Sequence, residues 1–193
     1  MTTSALSSSV LSIQPPINTK SDEIPLEPGV HPPVISLPFQ VKVASLGTAE
    51  VSDSISIASN SAVSNLSSLY RHARLSKLSA TIHPNHNSPA YPTTVSLVWV
   101  PFNSTATSSD ILNVYGGQSF CVGGAINSLA PISVPCNLTN VNPVVKSSVT
   151  FTDTPKLILH STVSPSPPAT STCAVTISGT IELHSPLLQS SSS

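Results

Sequence analysis

Residues 173–184 read CAVTISGTIELH, and this stretch decides the fold class. Its large apolar residues occupy alternate positions, with Gly179 keeping the register: Val175, Ile177, Ile181 and Leu183. A period of two places one set of side chains on one face of a β-strand. The stretch therefore predicts a strand with one buried face and one polar face.

The same alternation recurs upstream and predicts further strands. They fall at residues 35–43, 51–57, 77–83, 95–100 and 157–163. Apolar residues occupy both faces of the run 95–100, so this strand should be central, whereas Pro38 places the first strand at a sheet edge. Two short helices are also predicted, one after Ser61 as N-cap and one after the capping-box sequence that begins at Thr107. Seven or eight short strands indicate an antiparallel sandwich, and the helices and chain length favour a jelly roll over an immunoglobulin-like domain.

Four of the seven glycines lie in one window as two pairs, Gly116-Gly117 and Gly123-Gly124. Paired glycines mark sharp reversals, so the five residues between them predict a strand that turns at both ends. The first pair also ends the second predicted helix. The window lacks the spacing of a phosphate-binding loop.

The composition indicates one weakly charged domain. The chain has 193 residues, of which 39% are hydrophobic and 8% charged, with a net charge of −1. Ordinary soluble domains carry about 25% charged residues. Because so little self-repulsion keeps copies apart, self-association is favoured.

Three segments differ in character. Residues 1–34 contain six prolines and no periodicity, which predicts a flexible, mildly acidic N-terminal arm. Residues 35–188 form the predicted sandwich, and residues 189–193 a loose tail. No apolar run has the length of a membrane span, and the first residues lack the features of a signal peptide. No membrane partner is therefore expected.

Catalytic and metal-binding patterns are missing. The eight carboxylates are scattered singly, and no nucleophile elbow accompanies the many serines. His83 and His86 flank Pro84 without other metal ligands and are interpreted as loop histidines. We therefore expect no enzyme activity, no metal and no protein-bound cofactor.

Two other histidines are candidate binding residues. His72 is expected near the end of the first helix, where a cation would face the helix C-terminus. His184 is expected on the polar face of the last strand. Each also has a purely local structural explanation: His72 as a cationic cap of the helix, and His184 as a solvated residue of the polar face.

Six distinctive segments follow one another along the chain: Tyr70–Ala73, Thr81–Pro84, Trp99–Pro101, Tyr115–Asn127, Asp153–Leu157 and Ile177–Leu187. In the order and spacing of these segments, the chain from about Leu37 to Leu188 resembles the coat proteins of tymoviruses. The most specific match is Tyr115–Phe120.

The resemblance implies an all-β, eight-stranded antiparallel jelly-roll sandwich with two short helices and an extended N-terminal arm. It implies a T=3 icosahedral capsid of pentamers and hexamers that encloses positive-sense single-stranded RNA, assembled in an infected host cell as a virion. It places His72 and His184 toward the RNA, and it assigns much of the phosphate neutralisation to packaged polyamines.

Other classes of β-sandwich remain as alternatives on sequence alone. A carbohydrate-binding module would show more aromatic residues than the 4% found here. An adhesion domain of the immunoglobulin type would carry a cysteine before its tryptophan, and Trp99 follows none.

Overall fold

The computed structural model describes residues 34–124, 130–163 and 166–187. These ranges contain nine strands, one α-helix and one 3₁₀ helix. The strands are β1 Ile35–Leu46, β2 Val51–Ser56, β3 Tyr70–Pro84, β4 Thr93–Pro101, β5 Gln118–Val122, β6 Ile132–Pro135, β7 Val144–Lys146, β8 Pro155–Ser161 and β9 Cys173–Pro186. The α-helix, α1, is Ser61–Ser67, and the 3₁₀ helix, η1, is Ser108–Asn113. Apart from Val34, the predicted arm and tail lie outside the described residues.

The strands form two antiparallel sheets. One has the order β1-β9-β3-β6, with the short β7 also paired to β3, and the other has the order β2-β8-β4-β5. If β7 is set aside, consecutive strands of the chain alternate between the two sheets. The one exception is β4 and β5, which are neighbours in the same sheet. This is the jelly-roll arrangement, so the predicted fold is confirmed, with β7 as a three-residue addition to eight principal strands.

The stretch that predicted the fold lies at the centre of the five-stranded sheet. As β9 it pairs with β1 on one side and β3 on the other. Gly179 lies opposite Phe39 and Leu78, and a Cβ there would be 2.5 Å from the Lys77 carbonyl oxygen and 2.9 Å from the Phe39 ring. Only glycine leaves room for that ring. The edge position predicted from Pro38 is confirmed for β1.

The core lies between the two sheets. Its large, fully buried side chains include Leu46, Leu75, Ile82, Leu97, Leu157, Leu159, Ile177, Ile181 and Leu183. Trp99 of β4 donates a hydrogen bond from Nε1 to the Val134 carbonyl of β6 at 3.1 Å. This partly buried bond ties the four-stranded sheet to the five-stranded one.

A second apolar cluster lies on the outer side of the four-stranded sheet. Val98, Val100 and Ile158 pack there against Ile111 of η1. The prediction that both faces of β4 are apolar and that β4 is central is therefore confirmed. The capping box is present as well, because the Thr107 backbone N–H and hydroxyl donate to Asp110 Oδ2 at 2.9 and 2.7 Å. These hydrogen bonds lower the pKa of Asp110.

The first predicted helix is shorter than the sequence suggested. Its N-cap is Asn60, whose Oδ1 accepts from the Ala62 N–H at 3.0 Å, rather than Ser61. The helix ends at Ser67, and Tyr70 already begins β3. Pairing of β3 with β9 satisfies backbone groups along fifteen residues, and this outweighs the helical spacing of apolar side chains in 62–70.

Candidate nucleic-acid interface

His72 and His184 lie on the outer face of the five-stranded sheet, away from the core. On β3 the buried residues next to His72 are Ala73 and Leu75, and on β9 the buried neighbour of His184 is Leu183. Because side chains alternate across a strand, both histidines belong to the opposite face. His72 is thus a strand residue, and its predicted position near a helix C-terminus is wrong, for the reason that shortens α1.

The structure brings these two histidines together. They are direct partners in the β3–β9 ladder. Side chains of directly opposed residues in an antiparallel pair have Cβ atoms about 4.5–5.5 Å apart. Both residues are half-buried. The His72 Nδ1 lies 3.5 Å from the Ser147 hydroxyl, at the outer limit of a hydrogen bond. Sequence reasoning identified each histidine but had no means of pairing them.

Charged side chains continue this face on both strands. The next ladder pair is Arg74 with Glu182, and beyond a bulge Lys77 faces Thr180. Arg74 and Glu182 form no ion pair, and the only ion pair within the described ranges joins His160 to Glu50 on the other sheet. The Arg74 side chain is therefore available to an anionic ligand, and the Glu182 side chain to a cationic one.

The cations of the chain are concentrated in this sheet. Of the six lysines and arginines in the described ranges, five lie on its strands: Lys42, Arg71, Arg74, Lys77 and Lys146. Lys146 is used internally, because its Nζ donates to the Ser67 carbonyl at 2.7 Å. The other four cations make no ion pair or side-chain hydrogen bond with the described part of the chain. Only one carboxylate, Glu182, lies on the same strands.

Sequence reasoning missed this concentration because the overall charge is so low. One signal was present, since Arg71, Arg74 and Lys77 lie within seven residues. Their significance depended on recognising residues 70–76 as strand, which the helical interpretation of 62–70 prevented.

Of the other histidines, His83 and His160 have local partners, and His86 lies in the turn after β3 as predicted. His83 belongs to β3, not to a loop as predicted, and its Nε2 lies 2.9 Å from the Thr176 hydroxyl of β9. His160 Nδ1 lies 3.0 Å from the Ser52 hydroxyl, and its Nε2 lies 3.9 Å from Glu50 Oε1. In a catalytic triad the carboxylate that orients the histidine is buried. Glu50 is instead 66% exposed, so Ser52, His160 and Glu50 do not have the arrangement of a triad.

The described part of the chain holds neither a metal-ligand cluster nor a membrane-spanning helix. Nowhere in it do three or more histidine, cysteine, aspartate or glutamate side chains come close enough to hold a metal ion. Its helices are also too short to span a bilayer.

Comparison with solved structures places the fold among viral capsids. The coat of tobacco necrosis virus matches with a TM-score of 0.57 at 13% identity, over 80% of this chain and 83% of that one. This likeness concerns the fold alone. A structure of Desmodium yellow mottle tymovirus matches with a TM-score of 0.83 at 57% identity, over 91% of this chain and all of that one. By its fold, the chain therefore belongs to the class of jelly-roll viral capsid proteins.

Sequence comparison identifies the family. The family model described as tymovirus coat protein matches residues 25–193. The capsid protein of Kennedya yellow mosaic virus is 64% identical over 180 residues, which cover 93% of this chain and 96% of that protein. The capsid protein of turnip yellow mosaic virus is 46% identical over 174 residues, 90% of this chain and 92% of that protein. The chain belongs to the tymovirus coat protein family. It is a structural protein of plant virus particles and not an enzyme.

Proposed function

We propose that this capsid protein assembles, as pentamers and hexamers, into a T=3 icosahedral shell that encloses a positive-sense single-stranded RNA genome. Assembly takes place in the infected host cell. The proposal is supported by family membership, by related structures whose subject is the virus particle or its empty head, and by a low net charge that favours association. Electron microscopy of purified particles tests it: shells of another triangulation number, or no shells, would contradict it.

The outer face of the five-stranded sheet is the surface proposed to contact RNA. The observation that carries this assignment is the direct pairing of His72 with His184 on the sheet that holds the unpaired cations. Two protonated imidazoles in opposed ladder positions repel each other, because like charges there are destabilising. A phosphate group between them replaces that repulsion with two charge-assisted hydrogen bonds.

Protonation should therefore strengthen RNA binding at this pair. The bound state favours the charged imidazole, so binding increases as pH falls and is lost as pH rises through the imidazole range, which lies near 6.5 in model peptides. On the face of the pair, the next ladder position holds Arg74 opposite Glu182, so one cation and one carboxylate lie beside the histidines. The pH-dependent part of binding thus comes from the histidines.

Protein cations cannot neutralise a packaged genome by themselves. The whole chain has seven lysines and arginines against eight carboxylates. RNA carries one negative charge for every nucleotide, and compaction requires that most of it be compensated. We therefore include polyamines, packaged with the RNA, as the principal counterions, and the sheet face as a sparse contact.

The test is RNA retention by purified particles as a function of pH. Wild-type particles should retain more RNA as pH falls below about 6.5. The double variant His72→Ala with His184→Ala should lose this dependence. His160→Ala, on the opposite sheet, is the matched control and should keep the wild-type profile. An unchanged profile in the double variant would exclude the histidine pair as the pH-dependent contact.

A further inference from the structure

A trough of about 850 Å³ crosses the five-stranded sheet, farther along β3 than the histidine pair. Its lining residues all belong to β1, β3, β6, β9 and the three residues that follow β6. Since the described residues of the four-stranded sheet take no part in it, the trough opens on the outer face rather than between the sheets. Six of its lining residues are exposed to solvent: Pro38, Gln40, Ser76, Lys77, Pro135 and Asn137. Its volume lies in the range of small-molecule sites, about 300–1,000 Å³.

Small hydroxyl side chains form the floor of the trough. Ser178 of β9 lies opposite Gln40 of β1 on one side and Ser79 of β3 on the other, and Thr180 occupies the next outward position of β9. Alternate residues of a strand share a face, so these side chains all project from the outer face. Because the floor side chains are short, the sheet is depressed here, and its polar groups are hydroxyls.

Two exposed prolines form opposite rims of the trough, Pro38 on β1 and Pro135 on β6. Three steps between neighbouring strands separate β1 from β6, so the trough is roughly 14 Å wide. Beside the prolines, the exposed amides of Gln40 and Asn137 offer hydrogen-bond donors and acceptors. A flat ligand with apolar faces and polar edges, such as a nucleobase, fits this combination of apolar rims and polar floor.

A β-bulge places Lys77 at the trough. The pairing of β3 with β9 skips Ser76, which is therefore the extra residue of the bulge. Strict alternation would turn Lys77 toward the core, as it turns Leu75. The bulge instead returns Lys77 to the outer face that His72 and Arg74 occupy. Lys77 is exposed and is the only charged residue among the described residues that line the trough.

Three basic side chains thus follow one another along the outer face of β3: His72, Arg74 and Lys77. Successive outward positions of a strand are about 6.8 Å apart, which is close to the distance between neighbouring phosphates of an extended RNA strand. Proteins hold single-stranded nucleic acids in positively charged grooves that follow the backbone and offer surfaces to the bases. On β3 the row of cations leads to the trough.

We infer that the trough binds one unpaired nucleoside of the packaged RNA, with a neighbouring phosphate on Lys77. The inference rests on the proposed RNA contact of this sheet face, and it extends that contact from the histidine pair to a site for a base. Charge complementarity favours RNA, because the Lys77 ammonium has no partner in the described part of the chain and lysine is a common ligand of phosphate. A single strand is favoured over a duplex, because a duplex keeps the faces of its bases stacked inside.

Filling the trough tests the inference on the full-length subunit. The double variant Ser79→Ile with Ser178→Ile adds two branched side chains at directly paired floor positions, and β-branched residues suit a strand. Its affinity for a short fluorescent oligouridylate should fall about fivefold or more, which is the lower limit for the loss of one base contact. Its affinity for an RNA duplex, measured by the same fluorescence anisotropy, should remain that of the wild type.

The matched control makes the same two changes on the other sheet. Ser54 and Ser119 are exposed on the outer face of the four-stranded sheet, so Ser54→Ile with Ser119→Ile should bind both RNAs as the wild type does. Circular dichroism shows that each variant is folded. Wild-type affinity of the filled variant for the single strand would overturn the inference. An equal loss of affinity for both RNAs would overturn it as well, because a site for an unpaired base affects the single strand alone.

Photo-crosslinking in assembled particles identifies the occupant without filling the trough. Gln40 replaced by benzoylphenylalanine should crosslink to RNA, whereas Ser54 replaced by the same residue should not. Crosslinks from position 40 to another copy, or to residues 1–33, would place protein in the trough and overturn the inference. Particles that contain RNA but give no crosslink to it at position 40 would overturn the inference and leave the proposed shell intact. Wild-type particles without RNA would contradict the proposed function, and the inference with it.

Discussion

The two sheets of this sandwich both contribute side chains to the core but differ on their outer faces. The outer face of the five-stranded sheet is open and polar, with unpaired cations and the His72–His184 pair. Part of the outer face of the four-stranded sheet is covered by η1, which buries Val98, Val100 and Ile158. The difference shows that a jelly roll can use one outer face for packing and leave the other for a ligand.

Two lysines illustrate the same difference. Lys156 of β8 is 8% exposed, its Nζ donates to the Ser104 carbonyl at 2.8 Å, and it lies 5.8 Å from the centre of the Phe102 ring. Lys77 of β3 is exposed and has no partner in the described part of the chain. One cation holds a loop to its sheet, and the other is available to an anion.

The largest expected difference between the sheets is in stability. Ile158→Ala removes a side chain packed between β8 and η1 and should reduce the free energy of unfolding by about 2–5 kcal/mol. Ser178→Ala, on the outer face of β9, should change it by less than about 0.5 kcal/mol. Urea unfolding of the unassembled subunit, followed by the fluorescence of Trp99, measures both. Equal losses would mean that η1 does not form a second packed layer.

A smaller effect is expected from the two lysines. Lys156→Ala leaves the Ser104 carbonyl without its donor and should cost about 1–3 kcal/mol of stability. Lys77→Ala should leave stability within about 0.5 kcal/mol of the wild type. In RNA binding the order should reverse, with Lys77→Ala reducing the slope of log affinity against log salt by about 1. A salt slope that only Lys156→Ala changes would place the RNA contact on the other sheet.

The smallest effect concerns the capping box that begins η1. Hydrogen bonds from Thr107 lower the pKa of Asp110 in the folded state. A lowered folded pKa means that the group adds stability above its unfolded pKa, about 3.9 in model peptides, and that this stability is lost as pH falls through the folded value. Asp110→Asn should therefore flatten the fall in urea midpoint below about pH 4. A curve identical to that of the wild type would show that the cap contributes nothing.

Local signals in the sequence predicted most of the strands. The alternation in 173–184, the strand between Gly116-Gly117 and Gly123-Gly124, and the box of Thr107 with Asp110 all depend on residues within a few positions of one another. Gly116 and Gly123 do adopt φ of +88° and +99°, as paired reversals require. The strands β6 and β7 escaped prediction because four and three residues are too few to show a period.

By itself, then, the sequence determined the alternating strands, the turns, the low charge and the family resemblance, because each is carried by neighbouring residues or by composition. Only the tertiary structure decided that His72 lies in a strand opposite His184 and that the unpaired cations share one sheet. These are consequences of ladder register between segments about a hundred residues apart. Hydrogen bonding along β3 and β9 sets that register, and no local pattern encodes it.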